Sequence, residues 1–327
     1  MWEQKRFEFV LECRQPIAHH ECSIGNHALL MRRKVRQPDG SWCNVPVITG
    51  DTMRHGLREA SALAVLDAAD LLGGNQLSEA ALRLLFAGGM ITGSAGGAVK
   101  LDAYRELCEL IPPLALFGGC AQNRCIPGRL IVEDAVLACV ESRHHTPEWA
   151  LQWIDRHGGT DTSRSHIEEV QRVRMDPSLD PAKRKLLTEG DQVGANARLL
   201  SSETASASVD HAAKDEAKST MLPRTFERIA AGSLLSWGVV ATLTSELDLD
   251  TFNAAVFMFL SRAYVGGKRG TGHGLLAPVA ARDLQLTRPS EQGSEMTDLA
   301  PRVGELFRKH VQERKDRVRE FLASVAA

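Results

Sequence analysis

The sequence predicts an α+β protein on a β-α-β-β-α-β skeleton, the ferredoxin-like order, interrupted by one large insertion. Three observations carry this. Lys5 to Glu12 alternates with period two, Phe7, Phe9 and Leu11 against Arg6, Glu8 and Glu12, as in a half-buried strand. Val45 to Ile48 leads through Thr49-Gly50-Asp51 into a helical pattern from Thr52 to Leu72. Farther on, Leu249 to Tyr264 is apolar nearly all round, as in a buried helix, and a glycine-rich stretch then leads into an extended segment from Leu275 to Ala280.

The remaining elements follow in order. Ala28 to Val35 has an apolar start and a basic end, which suggests an extended segment over a surface, and Gln37-Pro38-Asp39-Gly40 is a turn signal. The helix from Thr52 is expected to be capped by Asp51 or Thr52, with Met53, Leu57, Ala60 and Ala64 on its inner stripe. Ser78 to Ala87 and Leu101 to Leu110 read as short helices, joined by a flexible link at Gly93 to Gly97. Leu114 to Gly119 is an apolar plug ended by glycines, and Arg129 to Val140 has the branched-residue content of a core strand. From Glu141 to about Met221 the apolar content is too low for an independent core, although Trp149, Trp153 and Ile154 suit one anchoring helix. Arg224 to Leu243 returns to strand character around a turn or bulge at Gly232, Asp248 is placed to cap the buried helix, and a final amphipathic helix runs roughly from Asp298 to Val325. The expected division is a palm at 1–140 and 223–285, an insertion at 141–222 and a C-terminal helix at 286–327.

Composition narrows the function classes. With 43% hydrophobic and 24% charged residues the chain is an ordinary globular one, and its longest apolar run, Ala254 to Leu260, is too short to span a bilayer. The first residues lead into an alternating segment and not a secretory signal, so a cytoplasmic protein without membrane contact is expected. Seven cysteines without a regular framework favour reduced thiols, and Cys13, His19, His20 and Cys22 lack zinc-ligand spacing, so neither a metal nor another cofactor is expected. A net charge of −2 means that any nucleic-acid contact must use local patches.

Two such patches exist. Between Gly25 and Arg58 stand Arg32, Arg33, Lys34, Arg36, Arg54 and Arg58 against Asp39 and Asp51. Either a solvated face or an anion contact accounts for this run. Arg54 and Arg58 share a helix face near a positive helix N-terminus, which makes sense opposite an anion, although a surface carboxylate serves equally well. The second patch is Val265 to Gly274, five glycines within nine positions around Lys268 and Arg269. It lacks the Gly-x-x-x-x-Gly-Lys-Ser/Thr spacing of a mononucleotide loop, leaving a structural turn or a nest for phosphate-backbone oxygens.

Three stretches resemble one family. Val45 to Arg58, containing Gly50-Asp51-Thr52-Met53-Arg54-His55-Gly56-Leu57-Arg58, is similar to the strand-to-helix entry of the RAMP superfamily of CRISPR-associated proteins. Leu116-Phe117-Gly118 resembles its Leu-Phe-Gly plug, and Gly266 to Gly274 its glycine-rich loop. Arg224 to Gly232 also resembles the Arg-x-x-Glu-Arg-Val-x-x-Gly strand entry of the backbone subunits. Size and insertion look like the Cas-seven-type backbone subunit, and Leu29 to Pro46 looks most like the type IV version.

The resemblance implies a modified ferredoxin-like (RRM-like) palm, with insertions forming fingers and a thumb. It implies a non-catalytic subunit that polymerises along guide RNA (crRNA) and holds it for pairing with target DNA, beside other effector subunits and an accessory helicase. The RNA-contacting residues it implies are Arg32, Arg33, Lys34, Arg54, Arg58, Gly266, Gly267, Lys268, Arg269 and Gly270, with Met221 as the thumb wedge or a core residue. RNA-cutting relatives carry an aspartate in the loop after the first strand, whereas Gly25-Asn26-His27-Ala28 stands here. The competing reading is a RAMP-type endoribonuclease that processes guide RNA with a histidine as general base, for which His19, His20, His27 and His55 are interchangeable nominees.

Overall fold

The structure, a computed structural model, describes residues 2–73, 77–89, 101–121, 124–156, 161–172, 185–186, 188, 224–282 and 303–324. The chain is α+β and divides into two units. The larger comprises Met1–His19, Leu30–Glu168 and Arg228–Ala327; the smaller comprises His20–Leu29 and Glu169–Glu227.

The larger unit is built on an antiparallel sheet. Its strands are β1 (Glu3–Cys13), β4 (Arg32–Arg36), β5 (Trp42–Ile48), β8 (Leu130–Val132), β9 (Ala135–Leu137), β12 (Leu234–Leu243), β13 (Ala263–Tyr264) and β14 (Leu275–Arg282). The order across the sheet is β13-β14-β1-β12-β9-β5-β4, with β8 also on β12. The period-two signal of β1 appears as pairing with β12 on one side, Glu3 opposite Leu243, and with β14 on the other, Cys13 opposite Leu276. Phe7, Phe9 and Leu11 are fully buried, Phe9 against the Trp237 indole at 4.9 Å between ring centres.

Helices α1 (Gly50–Ala68) and α6 (Glu246–Ser261) complete this core, with Met53 and Leu57 among its buried residues beside Phe252 and Phe259. Burying an aliphatic or aromatic side chain of this kind contributes about 1.5–3 kcal/mol. The N-cap of α1 is Thr49, ahead of both Asp51 and Thr52, the residues the sequence suggests, because its extended backbone turns the hydroxyl onto the Thr52 N–H. Ser245 caps α6 in the same way. Asp248 is thereby left to pair through both oxygens with Arg129, at 2.8 Å each.

Other expectations change in the structure as well. The run Arg129–Val140 is not one strand but two, β8 and β9, because Glu133 and Asp134 step out of the ladder; the Asp134 carboxylate accepts from the Gly50 N–H at 2.8 Å and the Glu133 carbonyl from the Trp237 indole at 3.1 Å. The final helix is two, α7 (Glu305–Glu313) and α8 (Lys315–Ser324), separated at Arg314. Within the stretch expected to be an insertion, α5 (Glu148–Arg156) belongs to the larger unit, where Ala150 and Ile154 bury Val10, Ala138 and Leu234 of the sheet.

Smaller elements finish the larger unit: α2 (Glu79–Ala87), α3 (Leu101–Leu110), α4 (Pro112–Phe117), and the hairpin β6 (Gly119–Ala121) and β7 (Arg124–Ile126). That hairpin sets Cys120 opposite Cys125, and Cys120 is disulfide-bonded, so the thiols are not all reduced as expected. A second sheet, most of whose residues belong to the smaller unit, is formed by β2 (His20–Ile24), β3 (His27–Leu30), β10 (Ile167–Arg172) and β11 (Arg224–Ile229) in the order β10-β11-β3-β2. Among the described residues no helix is long and apolar enough to cross a membrane.

Candidate nucleic-acid interface

The glycine-rich loop leaves α6 and returns as β14, and its conformation is set by main-chain contacts with the segment that follows β1. The Gly267 N–H donates to Ala18 O at 2.8 Å, Gly274 N–H to Pro16 O at 3.0 Å and Val265 N–H to Gly274 O at 2.9 Å. Two of the glycines are required by this packing. A Cβ on Gly266 would lie 2.7 Å from Ala18 O and one on Gly274 2.3 Å from Val265 O, and both have positive φ. Between them, Lys268 and Arg269 are exposed, and a Cβ on Gly270 would meet open space. Lys268 is itself left-handed, with φ 62°, a conformation a side chain adopts at a cost of order 1 kcal/mol.

Behind the loop, His273 is buried and Arg228 Nη1 stands 3.2 Å from its Nε2. A guanidinium only donates, so Nε2 is the acceptor and Nδ1–H is directed to Thr271 O at 3.0 Å. Arg228 is held in turn by Glu168 at 2.7 Å. The Glu-Arg of the Arg224–Gly232 motif thus reaches the loop through Arg228.

The same post-β1 segment joins the loop to two further elements. His19 O accepts from Met31 N–H at 2.8 Å, which sets the start of β4, and Thr49 N–H approaches His19 Nε2 at 3.3 Å, at the positive end of α1. The glycine loop, the first residue of β4, Arg32, and the α1 N-terminus are therefore gathered by Pro16 to His19. The histidines weighed together in the sequence are dispersed: His20 Nε2 contacts Glu227 O at 2.9 Å in the smaller unit, and His55 is exposed on α1.

Other expected contact residues are placed differently. Arg54 Nη1 donates to Leu130 O at 2.8 Å and Nη2 to Phe117 O at 2.5 Å. Arg58 donates to Phe117 O at 2.8 Å and Gly118 O at 3.0 Å. Both guanidinium groups also lie over the Phe117 ring, 5.9 and 5.5 Å from its centre. Burial draws the Arg58 group down to about 10, with repulsion from Arg54 adding to it. The pair does share one helix face as the spacing predicts, but its anionic partner is replaced by the carbonyls of the Leu-Phe-Gly plug. Met221 lies outside the described residues.

Arg33 faces the side of the sheet opposite α1 and α6, where its guanidinium meets Asp134 at 3.2 Å. Here a cleft of about 640 Å³ is lined by the sheet residues Val136 and Ser236, with His145 and the β4 and β5 residues Lys34, Arg36 and Trp42 also on its wall. Its lining includes an ion pair, Arg6 to Glu133 at 2.6 and 2.7 Å. Composition alone gave no sign of this cleft, because its parts come from β1, β4, β5, β8, β9, β12 and the turn before α5.

No family model matches the chain, and no curated protein does. A solved structure does: the fold is similar to that of a chain described as belonging to a type IV-B CRISPR complex. The TM-score is 0.53 and the alignment covers 89% of this chain and 96% of that one. At 17% identity the likeness is one of fold.

Proposed function

We propose that the chain is a repeated backbone subunit of a type IV CRISPR effector ribonucleoprotein, non-catalytic and cytoplasmic, which polymerises along guide RNA and holds it for pairing with target DNA. The observation that carries this is the fold likeness over nearly the full length of both chains. The strand order supports it as well: β14-β1-β12-β9, read as fourth, first, third and second strands of a β-α-β-β-α-β unit, is the ferredoxin-like order of a RAMP palm. The guide backbone is held by Gly266, Gly267, Lys268, Arg269 and Gly270, with Arg32 and Lys34 extending the contact along β4. Main-chain N–H groups and cations of this kind position phosphates without reading bases, which leaves the bases free to pair. Arg54 and Arg58 serve the same surface indirectly, by fixing the plug. Partner subunits and a helicase complete the complex in this reading.

Purification tests it. The protein is expected to carry short RNA and to form oligomers whose length follows that RNA. An RNA-free monomer that hydrolyses added RNA would instead support the guide-processing endoribonuclease.

A further inference from the structure

The β4–β5 ribbon has two unlike faces. On one, Arg33 is paired with Asp134 and Val35 is buried. Alternation then puts Arg32, Lys34 and Arg36 on the other. The register sets Trp42 opposite Arg36, Asn44 opposite Lys34 and Pro46 opposite Arg32, so the ring stands among cations, and the acids of the cleft that Lys34, Arg36 and Trp42 also line are already held, Asp134 by Arg33 and Glu8 and Glu133 by Arg6. Trp42 is 63% exposed. Among the described residues neither Lys34 nor Arg36 has a side-chain partner, and the nearest acid in sequence, Asp39, is turned onto the Ser41 N–H and hydroxyl at 2.9 and 2.7 Å.

The ribbon is also braced from behind. His144 Nε2 and His145 Nε2 contact Arg36 O at 2.7 and 3.3 Å, and Gln37 Nε2 donates to Glu141 O at 2.9 Å. These bonds hold the main chain at the position that presents Arg36 and Trp42, while the side chains remain in solvent. A ring flanked by exposed cations such as Lys34 and Arg36 is the arrangement that single-stranded nucleic acids use: bases stack on the aromatic face and phosphates meet the charges. A protein partner of similar affinity would call for apolar neighbours around the tryptophan, and here its cross-strand and diagonal neighbours are Arg36 and Lys34.

We propose that this outward face is a stacking platform for unpaired bases of single-stranded nucleic acid, with Trp42 against a base and Lys34 and Arg36 on the flanking phosphates. The inference rests on the reading of the chain as an RNA-binding subunit, but adds a contact of another kind. The glycine loop meets backbone and tolerates any strand, whereas a stacked base must be free of its complement, so the ribbon distinguishes single-stranded from duplex nucleic acid.

The test compares the binding of the full chain, freed of RNA, to three labelled probes: oligouridylate, its abasic analogue, and a blunt RNA duplex. Trp42→Ala is expected to weaken oligouridylate binding by roughly 5- to 150-fold, the loss of one stacked base, and to leave the other two unchanged. Trp42→Phe restores most of the affinity, which separates stacking from misfolding. The double variant Lys268→Ala, Arg269→Ala is expected to weaken all three probes alike. If Trp42→Ala binds oligouridylate like the wild type while the loop variant loses it, the platform is overturned and the backbone reading stands. An equal loss on all three probes overturns stacking too, as does a Trp42→Ala protein whose only defect is self-association without RNA. A wild-type protein that binds none of the probes removes both.

Discussion

Replacing Arg58 by alanine separates the two roles that its position on α1 allows. The substitution removes hydrogen bonds to Phe117 O and Gly118 O, at 2.8 and 3.0 Å, and the contact with the Phe117 ring. Bonds from a charged donor contribute about 1.5–3 kcal/mol each and the ring contact about 0.5–1 kcal/mol. Part of this is offset, because the lost group is a buried cation whose desolvation draws it down to about 10 and whose neighbour Arg54 repels it. Phe117 O keeps its bond from Arg54, whereas Gly118 O, on a buried residue, loses the one it accepts from Arg58. A net destabilisation of about 2 kcal/mol follows. Urea denaturation followed by tryptophan fluorescence reads it directly, and RNA binding by the folded protein should keep its affinity and its salt dependence. An unchanged urea midpoint, together with a salt slope reduced by about one, would refute the plug assignment and return Arg58 to the RNA backbone.

Further outcomes follow from the loop and the core. Lys268→Gly relieves a left-handed side chain, so stability should rise by about 0.5–1 kcal/mol in thermal unfolding while RNA affinity falls. Gly274→Ala, whose Cβ would meet Val265 O, should destabilise by more than about 2 kcal/mol, whereas Gly270→Ala should change the unfolding free energy by less than about 0.5 kcal/mol, both read by urea denaturation. Burial pushes the Asp248 carboxyl up, but hydrogen bonds from Arg129 and Thr244 more than compensate and leave it below its ordinary value. A depressed acid stabilises the fold above its unfolded value, about pH 4, and loses that contribution as pH falls through its folded one. Asp248→Asn should therefore lower the urea midpoint at neutral pH and flatten its decline in acid.

Local patterns were legible where local physics decides them. The alternation of β1, the apolar circumference of α6 and the arginine spacing on α1 can all be read from a few neighbouring residues. What escaped depends on partners distant in sequence. The break between β8 and β9 looks like continuous strand, since Glu133 and Asp134 gain their purpose only from Trp237 and Gly50. Arg54 and Arg58 suggest an anion, because main-chain carbonyls some 60 residues away leave no mark on composition. The histidines could not be ranked by type, and the structure distinguishes His19 by its place beside Thr49 and the glycine loop. Trp42 follows the basic run in the chain, but only the register of the ribbon sets it beside Arg36.

The pairing of β1 has a consequence for biosynthesis. Both of its neighbours are encoded far downstream, since Glu3 lies opposite Leu243 and Cys13 opposite Leu276. At about 5–20 residues per second, a ribosome takes on the order of ten seconds or more to supply them after β1 emerges. Throughout that interval Phe7, Phe9 and Leu11 have no native strand beside them, and the sheet centred on β1 closes only when β14, ending at Arg282, is made. Nascent chains stopped before Leu234 should be captured by chaperones and cleaved by proteases at β1, and chains extended past Arg282 should resist both.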